Sequence, residues 1–280
     1  MERILLVTGA SSGIGRHCAQ VMKRRGWRVF ATARRPEDLA RLRSEGLEAV
    51  HLDLACPASI EAAVAEITAA TGGRLDALFN NGAYGQPGAV EDLERDVLRA
   101  QFEVNVFGTQ ELTNQVIPVM RAQGHGRIVH NSSVLGLVSL PFRGAYNASK
   151  HALEALADTQ RLELHGSGIH ISLIEPGPIE SRFREHALAA FRRYIDAEHS
   201  PHRTTYRGLL ARLEKPGPAA PGTLGPEAVA AKLIHALEAP RPRARYYVTW
   251  PTWLFATLKR ALPTSWLDAA LRLVSRQENR

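Results

Sequence analysis

The sequence predicts an α/β fold in which a parallel sheet is covered on both faces by helices. Short apolar runs alternate with helical patterns along the chain, and a glycine-rich turn joins the first run to the first helix. The 280 residues include 45% hydrophobic and 22% charged residues, as in an ordinary globular protein with ample core. This length allows one large domain or two small ones. We expect a single domain over residues 1–280.

The N-terminal unit consists of a strand, a glycine-rich turn and a helix. An apolar run at 4–7 leads into Thr8-Gly9-Ala10-Ser11-Ser12-Gly13-Ile14-Gly15, and a helical pattern follows over about 16–25. Glycines permit a tight turn and a close approach to a pyrophosphate, while the helix N-terminus supplies amide donors. The spacing is G-x-x-x-G-x-G and differs from the usual G-x-G-x-x-G. We therefore expect a dinucleotide site with a variant turn.

The end of the second strand, predicted over 28–32, indicates which dinucleotide binds. In such folds an acid at this point binds the ribose 2′-hydroxyl, whereas an arginine accommodates a 2′-phosphate. Ala33 is followed by Arg34 and Arg35, and the first acid is Glu37. Because a guanidinium matches phosphate in a bidentate manner, the sequence favours NADP(H).

The alternation continues to the C-terminal part of the chain. Further strands are predicted at 48–52, 75–79, 127–129, 169–174 and 245–249, and further helices at 36–46, 59–70, 96–123 and 226–237. Polar residues follow the third and fourth strands, with Asp53-Leu54 after one and Asn80-Asn81-Gly82-Ala83 at the end of the other. Pro118 is expected to break or kink the long helix near its end.

A serine, a tyrosine and a lysine form the candidate catalytic set. Tyr146 and Lys150 lie four residues apart where a helical pattern begins, so they share one helix face. Ser133 lies thirteen residues before Tyr146. A nearby ammonium favours the phenolate and lowers a tyrosine pKa from about 10, while a serine hydroxyl can hold a carbonyl oxygen. The pair alone also fits a surface helix, but the N-terminal turn favours proton transfer to a carbonyl.

Composition narrows the compartment and the partners. Neither Cys18 nor Cys56 has a partner at metal-ligand spacing, so neither a disulfide framework nor a metal site is expected. We expect no signal peptide, because a strand-like run begins within three residues of Met1, and no membrane-spanning helix. The expected location is the reducing cytoplasm. The net charge of +7 comes from scattered, mostly arginine residues without a nucleic-acid motif, so no nucleic-acid partner is expected.

Together these residues resemble the short-chain dehydrogenase/reductase family. The residues on which the resemblance rests occur in the family's order and spacing. They are the turn, Asp53, the Asn-Asn stretch, Asn105, Ser133, Tyr146, Lys150 and Pro176-Gly177. The resemblance is strong over about 3–182. Three segments are similar in sequence to the hydroxysteroid and retinol dehydrogenases and to bacterial NADP-dependent aldehyde reductases. They are SSVLGLVSLPFRGAYNASK, LIEPGPI and TLGPEAVA. The resemblance implies a Rossmann-type, doubly wound sheet of about seven strands.

The resemblance also implies roles for the catalytic residues. Tyr146 is the proton donor or acceptor, and Lys150 lowers its pKa and binds the nicotinamide ribose. Ser133 rather than Ser132 binds the substrate carbonyl, because its spacing to Tyr146 fits the family. Asn105 supports a water-linked proton relay through its helix. The implied substrate contacts are Ser133, Leu135, Tyr146 and Phe183.

The family pattern implies a larger set of cofactor contacts, distributed over the ends of several strands. They are Gly9, Ser11, Ser12, Gly13, Ile14, Gly15, Arg34, Arg35, Asp53, Leu54, Asn81, Gly82, Ala83, Tyr146, Lys150, Pro176, Gly177, Ile179 and Ser181. One departure concerns Ala83, since the family usually has Asn-Asn-Ala-Gly. If this position needs a positive φ, alanine is disfavoured there. Ser181 replaces a common threonine and keeps the hydroxyl.

The C-terminal third is expected to supply a substrate lid at 182–224 and an amphipathic tail at 250–280. Candidate apolar lid contacts are Phe183, Phe191, Tyr194, Tyr206 and Leu210, although these side chains could instead only pack the lid helices together. With the apolar run at 135–140, they predict a largely apolar pocket. The tail could dock on the domain, pair with another subunit, or lie on a membrane surface.

These observations predict an NADP(H)-dependent oxidoreductase that moves hydride between nicotinamide and a carbonyl/alcohol pair. The expected substrates are hydrophobic aldehydes or ketones, such as a lipid aldehyde, retinal or a steroid-like compound. The family resemblance further implies a homodimer or homotetramer. Two alternatives on the same fold are a nucleotide-sugar epimerase or dehydratase and a non-catalytic NADP-sensing regulator. The first usually has a larger C-terminal domain, and the second does not need Ser133, Tyr146 and Lys150.

Overall fold

The first strand, β1 (Arg3–Val7), contributes side chains to two separate cores. Leu5 and Val7 pack in one apolar cluster, whereas Ile4 and Leu6 pack in another on the opposite face. Because alternate residues of a strand point to opposite faces, the sheet is buried on both sides. The computed structural model describes residues 2–218, 220 and 222–278.

Seven parallel strands form one sheet in the order β3-β2-β1-β4-β5-β6-β7. The other strands are β2 (Trp27–Ala33), β3 (Glu48–His51), β4 (Ala77–Asn80), β5 (Gly126–Asn131), β6 (Ile169–Glu175) and β7 (Arg245–Tyr247). Val7 pairs with Ala31 on one side and Phe79 on the other, so the strand order reverses between β1 and β4. A crevice forms at such a switch point, outside the carboxyl ends of the strands. The predicted Rossmann-type, seven-stranded fold is confirmed.

Helices cover both faces of the sheet and extend beyond it. They are α1 (Gly13–Arg24), α2 (Pro36–Ser44), α3 (Pro57–Thr71), α4 (Arg95–Phe102), α5 (Thr109–Gln123), α6 (Gly144–Glu163), α7 (Phe183–Tyr194), α8 (Arg203–Glu214), α9 (Glu227–Glu238), α10 (Trp250–Ala261) and α11 (Thr264–Glu278). None of the helices in these described segments is long and apolar enough to cross a bilayer.

The long helix predicted at 96–123 differs from expectation in two ways. A π-helical turn at Glu103–Gly108 joins α4 to α5 and carries Asn105. In addition, α5 continues through Pro118 to Gln123, so the predicted break is wrong. Pro118 has no N–H to donate to the Asn114 carbonyl, but both residues are exposed, so water can bond that carbonyl. Val116 and Met120 are buried. The buried side chains on either side hold the helix in the core.

The expected lid region contains α7 and α8, which share a third apolar cluster. Phe191 and Tyr206 are buried at its centre, with their rings 5.0 Å apart. The Tyr206 hydroxyl accepts a hydrogen bond from the Ala89 amide at 2.9 Å and contacts Asp92. These contacts attach the lid helices to the segment after β4. Residues 219 and 221 of the predicted lid lie outside the described residues.

One face of the C-terminal tail packs on the domain. Phe255 of α10 and Leu271 of α11 are buried with Val138, which follows the candidate catalytic serine in sequence. Docking on the domain, one of the three expectations for the tail, therefore describes the inner face of α10 and α11. Residues 279 and 280 of the predicted tail lie outside the described residues.

Candidate active site

A cavity of about 1130 Å³ opens at the carboxyl ends of the strands. Its lining includes the predicted turn, the arginines after β2, the segments after β3, β4 and β5, the start of α6, and the Pro176–Ser181 segment. Every predicted cofactor contact except Gly15 lines it, and so do the four substrate contacts implied by the family, Ser133, Leu135, Tyr146 and Phe183. The predicted catalytic residues Ser133, Tyr146 and Lys150 line it as well, whereas Asn105 does not. The cavity thus brings together residues from the whole length of the sheet.

Close packing explains the glycines of the turn. Gly9 has φ of +64°, and a Cβ on it would lie 2.7 Å from the Gly82 Cα. Gly13 has φ of +52°, and a Cβ on Gly15 would overlap the Gly9 carbonyl and the Asn81 side chain. Gly15 therefore lets α1 approach the strand ends, which explains why it lies behind the cavity wall rather than on it.

Hydrogen bonds connect the turn to the ends of β4 and β5. The Thr8 hydroxyl accepts from the amides of Asn81 at 2.9 Å and Gly82 at 2.8 Å. The Asn131 side-chain amide donates to the Asn81 side-chain oxygen at 3.0 Å. Among the described residues that are not glycine, only Phe142 has a positive φ, so Ala83 fits its position without backbone strain.

Arg34 and Arg35 are exposed at the end of β2 and both line the cavity. Ala33 is buried, and no carboxylate stands at its position. Burial lowers the pKa of the His186 imidazole on α7, and the charges of Arg182, Arg34 and Arg35 lower it further against the opposing charge of Glu185. The strand end and the lid helix thus form one electropositive corner of the cavity.

Ser133, Tyr146 and Lys150 lie together on the other side of the cavity. The Ser133 hydroxyl lies near enough to the Tyr146 hydroxyl to oppose the rise in its pKa, and it accepts a hydrogen bond from the Leu135 amide at 3.1 Å. The Lys150 ammonium is buried, lies 5.7 Å from the centre of the Tyr146 ring, and donates to the Asn131 carbonyl at 2.7 Å. Ser132, by contrast, has its hydroxyl beside Gly136 and the Glu154 side chain. The geometry therefore favours Ser133 over Ser132, as the sequence spacing predicts.

Burial dominates the electrostatics of this group. It raises the pKa of Tyr146 to about 12, against the opposing effect of the Ser133 hydroxyl. It lowers the pKa of Lys150 to about 8, against the opposing charge of Glu154. The direction for Tyr146 is opposite to the sequence prediction, because desolvation outweighs a cation that is directed at Asn131 rather than at the phenol.

Asn105 acts on the backbone around the site. Its side-chain amide donates to the Tyr84 carbonyl at 2.9 Å and the Ser149 hydroxyl at 3.1 Å, while its oxygen accepts from the Tyr84 amide at 3.2 Å. The Ser149 hydroxyl in turn donates to the Tyr146 carbonyl at 2.9 Å. Asn105 thereby joins the π-helical turn to the end of α6 that carries Tyr146 and Lys150.

Of the five apolar lid side chains predicted as candidate contacts, two line the cavity, and the other lid residues that line it include Arg184, His186 and Arg193. Phe183 and Tyr194 line it, and the Phe183 ring packs edge-on against the Tyr146 ring at 5.2 Å. Phe191, Tyr206 and Leu210 pack within the lid cluster instead, because α7 and α8 need an apolar seam of their own. For these three residues the structure therefore favours the alternative expectation, that they pack the lid helices together.

Sequence reasoning missed several residues that line the cavity. Asn131 could have been found from its position at the end of β5. Tyr84 and Arg143 carry no comparable signal, since each depends on how a loop folds. Phe142 has a φ of 59°, and its carbonyl accepts from the Gly88 amide at 3.0 Å. This turn places Arg143 at the cavity wall, three residues before Tyr146.

The cavity fits a dinucleotide. The positive-φ glycines leave an open cradle against the N-terminus of α1, where unpaired amides favour a pyrophosphate. Hydroxyl, amide and carbonyl groups from Thr8 to Ser133 line the path between the arginines and Tyr146.

Comparison with known proteins agrees with this geometry. The family model described as short chain dehydrogenase matches residues 3–190. The uncharacterised oxidoreductase YbbO of Escherichia coli is 43% identical over 272 residues, which is 97% of this chain and 95% of YbbO. Human 17-beta-hydroxysteroid dehydrogenase type 1 is 35% identical, with 88% and 77% of the two chains covered. The NADPH-dependent 3-dehydrocapnine reductase of Ornithobacterium rhinotracheale is 31% identical, with 95% of each chain covered.

Two solved structures are similar and have a nicotinamide dinucleotide bound. A variant of actinorhodin polyketide ketoreductase with NADPH has a TM-score of 0.72 and 29% identity, covering 88% of this chain and 95% of its own. A short-chain dehydrogenase/reductase from Burkholderia phymatum with NAD has a TM-score of 0.76 and 28% identity, covering 92% of each chain. This chain therefore belongs to the short-chain dehydrogenase/reductase family and is an oxidoreductase that uses a nicotinamide cofactor.

Proposed function

We propose that this protein is an NADP(H)-dependent reductase of hydrophobic aldehydes or ketones, such as a lipid aldehyde, retinal or a steroid-like compound. The observation that carries the proposal is that Ser133, Tyr146 and the buried ammonium of Lys150 line one cavity together with the glycine-rich turn. Bound NADPH would supply the hydride.

The three side chains divide the proton chemistry between them. Ser133 donates a hydrogen bond to the substrate carbonyl oxygen and fixes its position. Tyr146 gives its phenolic proton to that oxygen as the carbon is reduced. Lys150 then stabilises the phenolate until a proton returns from solvent. We assign Asn105 to a water-linked relay for that proton, because its side chain holds the π-helical turn against α6.

The arginines support a preference for NADP(H) over NAD(H). Arg34 and Arg35 line the cavity at the end of β2, where no carboxylate is present to hold ribose hydroxyls. The adenine would lie beside Asp53 and Leu54, and the nicotinamide beside Pro176, Gly177, Ile179 and Ser181. One relative and one similar structure are also described with NADPH. We assign the 2′-phosphate contact to Arg34, with Arg35 assisting.

The substrate side of the cavity supports an apolar substrate. Leu135, Leu140 and Phe183 line it near Tyr146, and a relative of 35% identity is a hydroxysteroid dehydrogenase. We assign α7 and α8, within 182–224, to a substrate lid, because Phe183 and Tyr194 reach the cavity from α7.

We also propose a cytoplasmic homodimer, or a homotetramer that contains the same two-fold interface. Phe107 in the π-helical turn is 54% exposed and Leu162 in α6 is 73% exposed. These two helices would form the interface, and an isologous contact would bury both apolar side chains.

The test is a screen of NADPH oxidation by the pure protein against aldehydes, steroids, retinal and quinones. We expect turnover with at least one apolar carbonyl compound and little with short polar ones. Each active substrate is then repeated with Tyr146→Phe, and the alcohol product is identified by mass. Oxidation of NADPH that forms no alcohol, or that is unchanged in Tyr146→Phe, would contradict the proposal.

A further inference from the structure

The outer faces of α10 and α11 are unusually apolar for a surface. Their inner faces pack on the domain, but the opposite faces expose Trp250 (60%), Trp253 (56%) and Leu254 (42%) on α10, and Trp266 (67%) and Leu273 (61%) on α11. We call these five side chains the tryptophan face. They are half of the ten large apolar side chains that are exposed in the described part of the chain. Single exposed apolar residues are ordinary, whereas a contiguous group marks an interaction site.

Helix periodicity explains why the exposed side chains fall on one side. Trp250, Trp253 and Leu254 have i, i+3 and i+4 spacing, and Trp266 and Leu273 are seven residues apart, so each set shares a helix face. Thr252 and Phe255 lie on the other side of α10 and are buried. Both helices therefore have two apolar faces. The domain covers the inner one and touches the edge of the outer one, where the Trp253 ring packs edge-on against Tyr247 at 4.8 Å and Trp250 lies beside Gly222.

The charges beside the tryptophan face indicate its partner. Arg260 and Arg272 are exposed on these helices, whereas the Lys259 ammonium donates to the Leu137 carbonyl of the domain, and the one carboxylate between residues 250 and 275 is Asp268. A two-fold contact between copies would place this positive rim against itself. An anionic surface is complementary to this positive rim. Tryptophan side chains are enriched at the interface between lipid headgroups and hydrocarbon.

The tryptophan face lies behind the substrate side of the cavity. Val134 and Leu140 line the cavity and also pack in the cluster formed by Phe255 of α10 and Leu271 of α11. Only one layer of side chains therefore separates these two helices from the cavity, and a partner bound to them lies close to the cavity wall.

We propose that the tryptophan face binds the surface of an anionic lipid bilayer, and that this docking brings the cavity to carbonyl compounds dissolved in the lipid. The second clause rests on the proposed function, whereas the first does not. Binding is peripheral, with the indole rings at headgroup depth and Arg260 and Arg272 facing the lipid phosphates.

The test is flotation of the full-length protein with vesicles of phosphatidylcholine alone or with 30 mol% phosphatidylglycerol. We expect binding to the anionic vesicles, accompanied by a blue shift of tryptophan fluorescence, and at most weak binding to the neutral ones. The pair Trp253→Glu and Trp266→Glu should lower the partition coefficient at least roughly tenfold. Val90→Glu, at a position that is 68% exposed outside these helices, is the matched control and should bind as wild type does.

A second variant guards against misfolding of the first. Arg260→Glu with Arg272→Glu leaves the tryptophan face intact and should abolish the preference for anionic vesicles. Equal binding to both vesicle types, or no effect of either double variant, would overturn the proposal. A third result would also overturn it: wild type does not bind vesicles, and the tryptophan variants have a lower molar mass than wild type by light scattering. That result would assign the tryptophan face to a contact with a second copy of the chain. Reduction of the best apolar carbonyl substrate, supplied in buffer without vesicles, should persist in both variants, and its absence in wild type would count against the proposed function alone.

Discussion

Arg245 donates a hydrogen bond at 2.6 Å to the carboxylate of Glu175, which is fully buried at the end of β6. The same guanidinium contacts Glu154 and Asp158 of α6, the latter at 2.6 Å. Glu154 lies one turn beyond Lys150, and Glu175 directly precedes Pro176-Gly177. Arg245 thus connects the catalytic helix to a segment that lines the cavity. One guanidinium cannot neutralise three carboxylates in a buried place, and burial and the neighbouring Glu154 raise the pKa of Glu175 to about 8.

The first prediction concerns stability against pH. The pKa of Glu175 is about 8 in the folded protein, and that of an unfolded glutamate is about 4.3. Between these values the folded state holds one more proton than the unfolded state, so each rise in pH favours unfolding until about pH 8. Glu175→Gln removes this dependence. We expect the free energy of unfolding of the variant, relative to wild type, to increase from pH 5 to pH 8 in urea titrations.

Glu163→Gln, an exposed position near the end of α6, is the control for removing a carboxylate. Its stability relative to wild type should change little over the same pH range. A difference between Glu175→Gln and wild type that is constant from pH 5 to pH 9 would show that Glu175 is ionised throughout.

A second prediction concerns the alkaline limb of activity. The pKa of Lys150 is about 8, and the Glu154 carboxylate holds it above the value that burial alone would give. If the ammonium stabilises the Tyr146 phenolate, kcat/KM falls as the pH rises through this value. Glu154→Gln should move the midpoint of that fall to lower pH. The measurement is kcat/KM for the best carbonyl substrate from pH 6 to pH 10. An unchanged midpoint would show that Glu154 does not hold up the pKa of Lys150. The same pH profile of Glu175→Gln shows whether titration of Glu175, whose pKa is also about 8, contributes to the fall.

The third prediction concerns cofactor choice. A charge-assisted contact to a phosphate contributes about 1.5–3 kcal/mol, which corresponds to roughly 10- to 150-fold in affinity. Arg34→Ala should raise the KM for NADPH by that factor and leave the KM for NADH nearly unchanged. Adding Ala33→Asp should shift the preference toward NADH, since a carboxylate repels the 2′-phosphate and holds ribose hydroxyls.

Arg35→Ala is the matched comparison for Arg34→Ala, because it removes the same charge one position later. It should weaken NADPH less than Arg34→Ala does. All values of kcat/KM need one ionic strength, since salt screens phosphate contacts. Equal use of NADPH and NADH by wild type, or equal weakening of both by Arg34→Ala, would show that Arg34 does not contact the phosphate.

The fold and most of the cavity wall were predictable because they depend on local patterns. The strands are predicted by apolar runs. The turn is predicted by its glycines, which stand where a Cβ would collide with neighbouring atoms. The Arg245 contacts were not predictable, since Glu154 and Glu175 are 91 and 70 residues away along the chain. The π-helical turn at Asn105 has no periodic signature that distinguishes it from an α-helix. The direction of the Tyr146 pKa also depends on burial, which the spacing of Tyr146 and Lys150 does not reveal.

The fourth prediction concerns assembly. The wild type should have a dimeric or tetrameric mass by light scattering at micromolar concentration. Phe107→Glu with Leu162→Glu places two charges in the proposed two-fold contact and should shift the mass toward the monomer. Val90→Glu introduces one such charge at another exposed apolar position and should leave the mass unchanged, and Phe107→Glu alone is its one-charge counterpart in the contact. A monomeric wild type would contradict the proposed assembly.

The measurement that tests the central claim most directly is carbonyl reduction by Tyr146→Phe. The substitution keeps the ring that packs against Phe183 but removes the hydroxyl beside Ser133. NADPH affinity, measured by fluorescence titration, and thermal unfolding should stay close to wild type. The account predicts that kcat for the best carbonyl substrate falls by roughly 10² or more under these conditions. Turnover within a few-fold of wild type would contradict the assignment of Tyr146 as the proton donor.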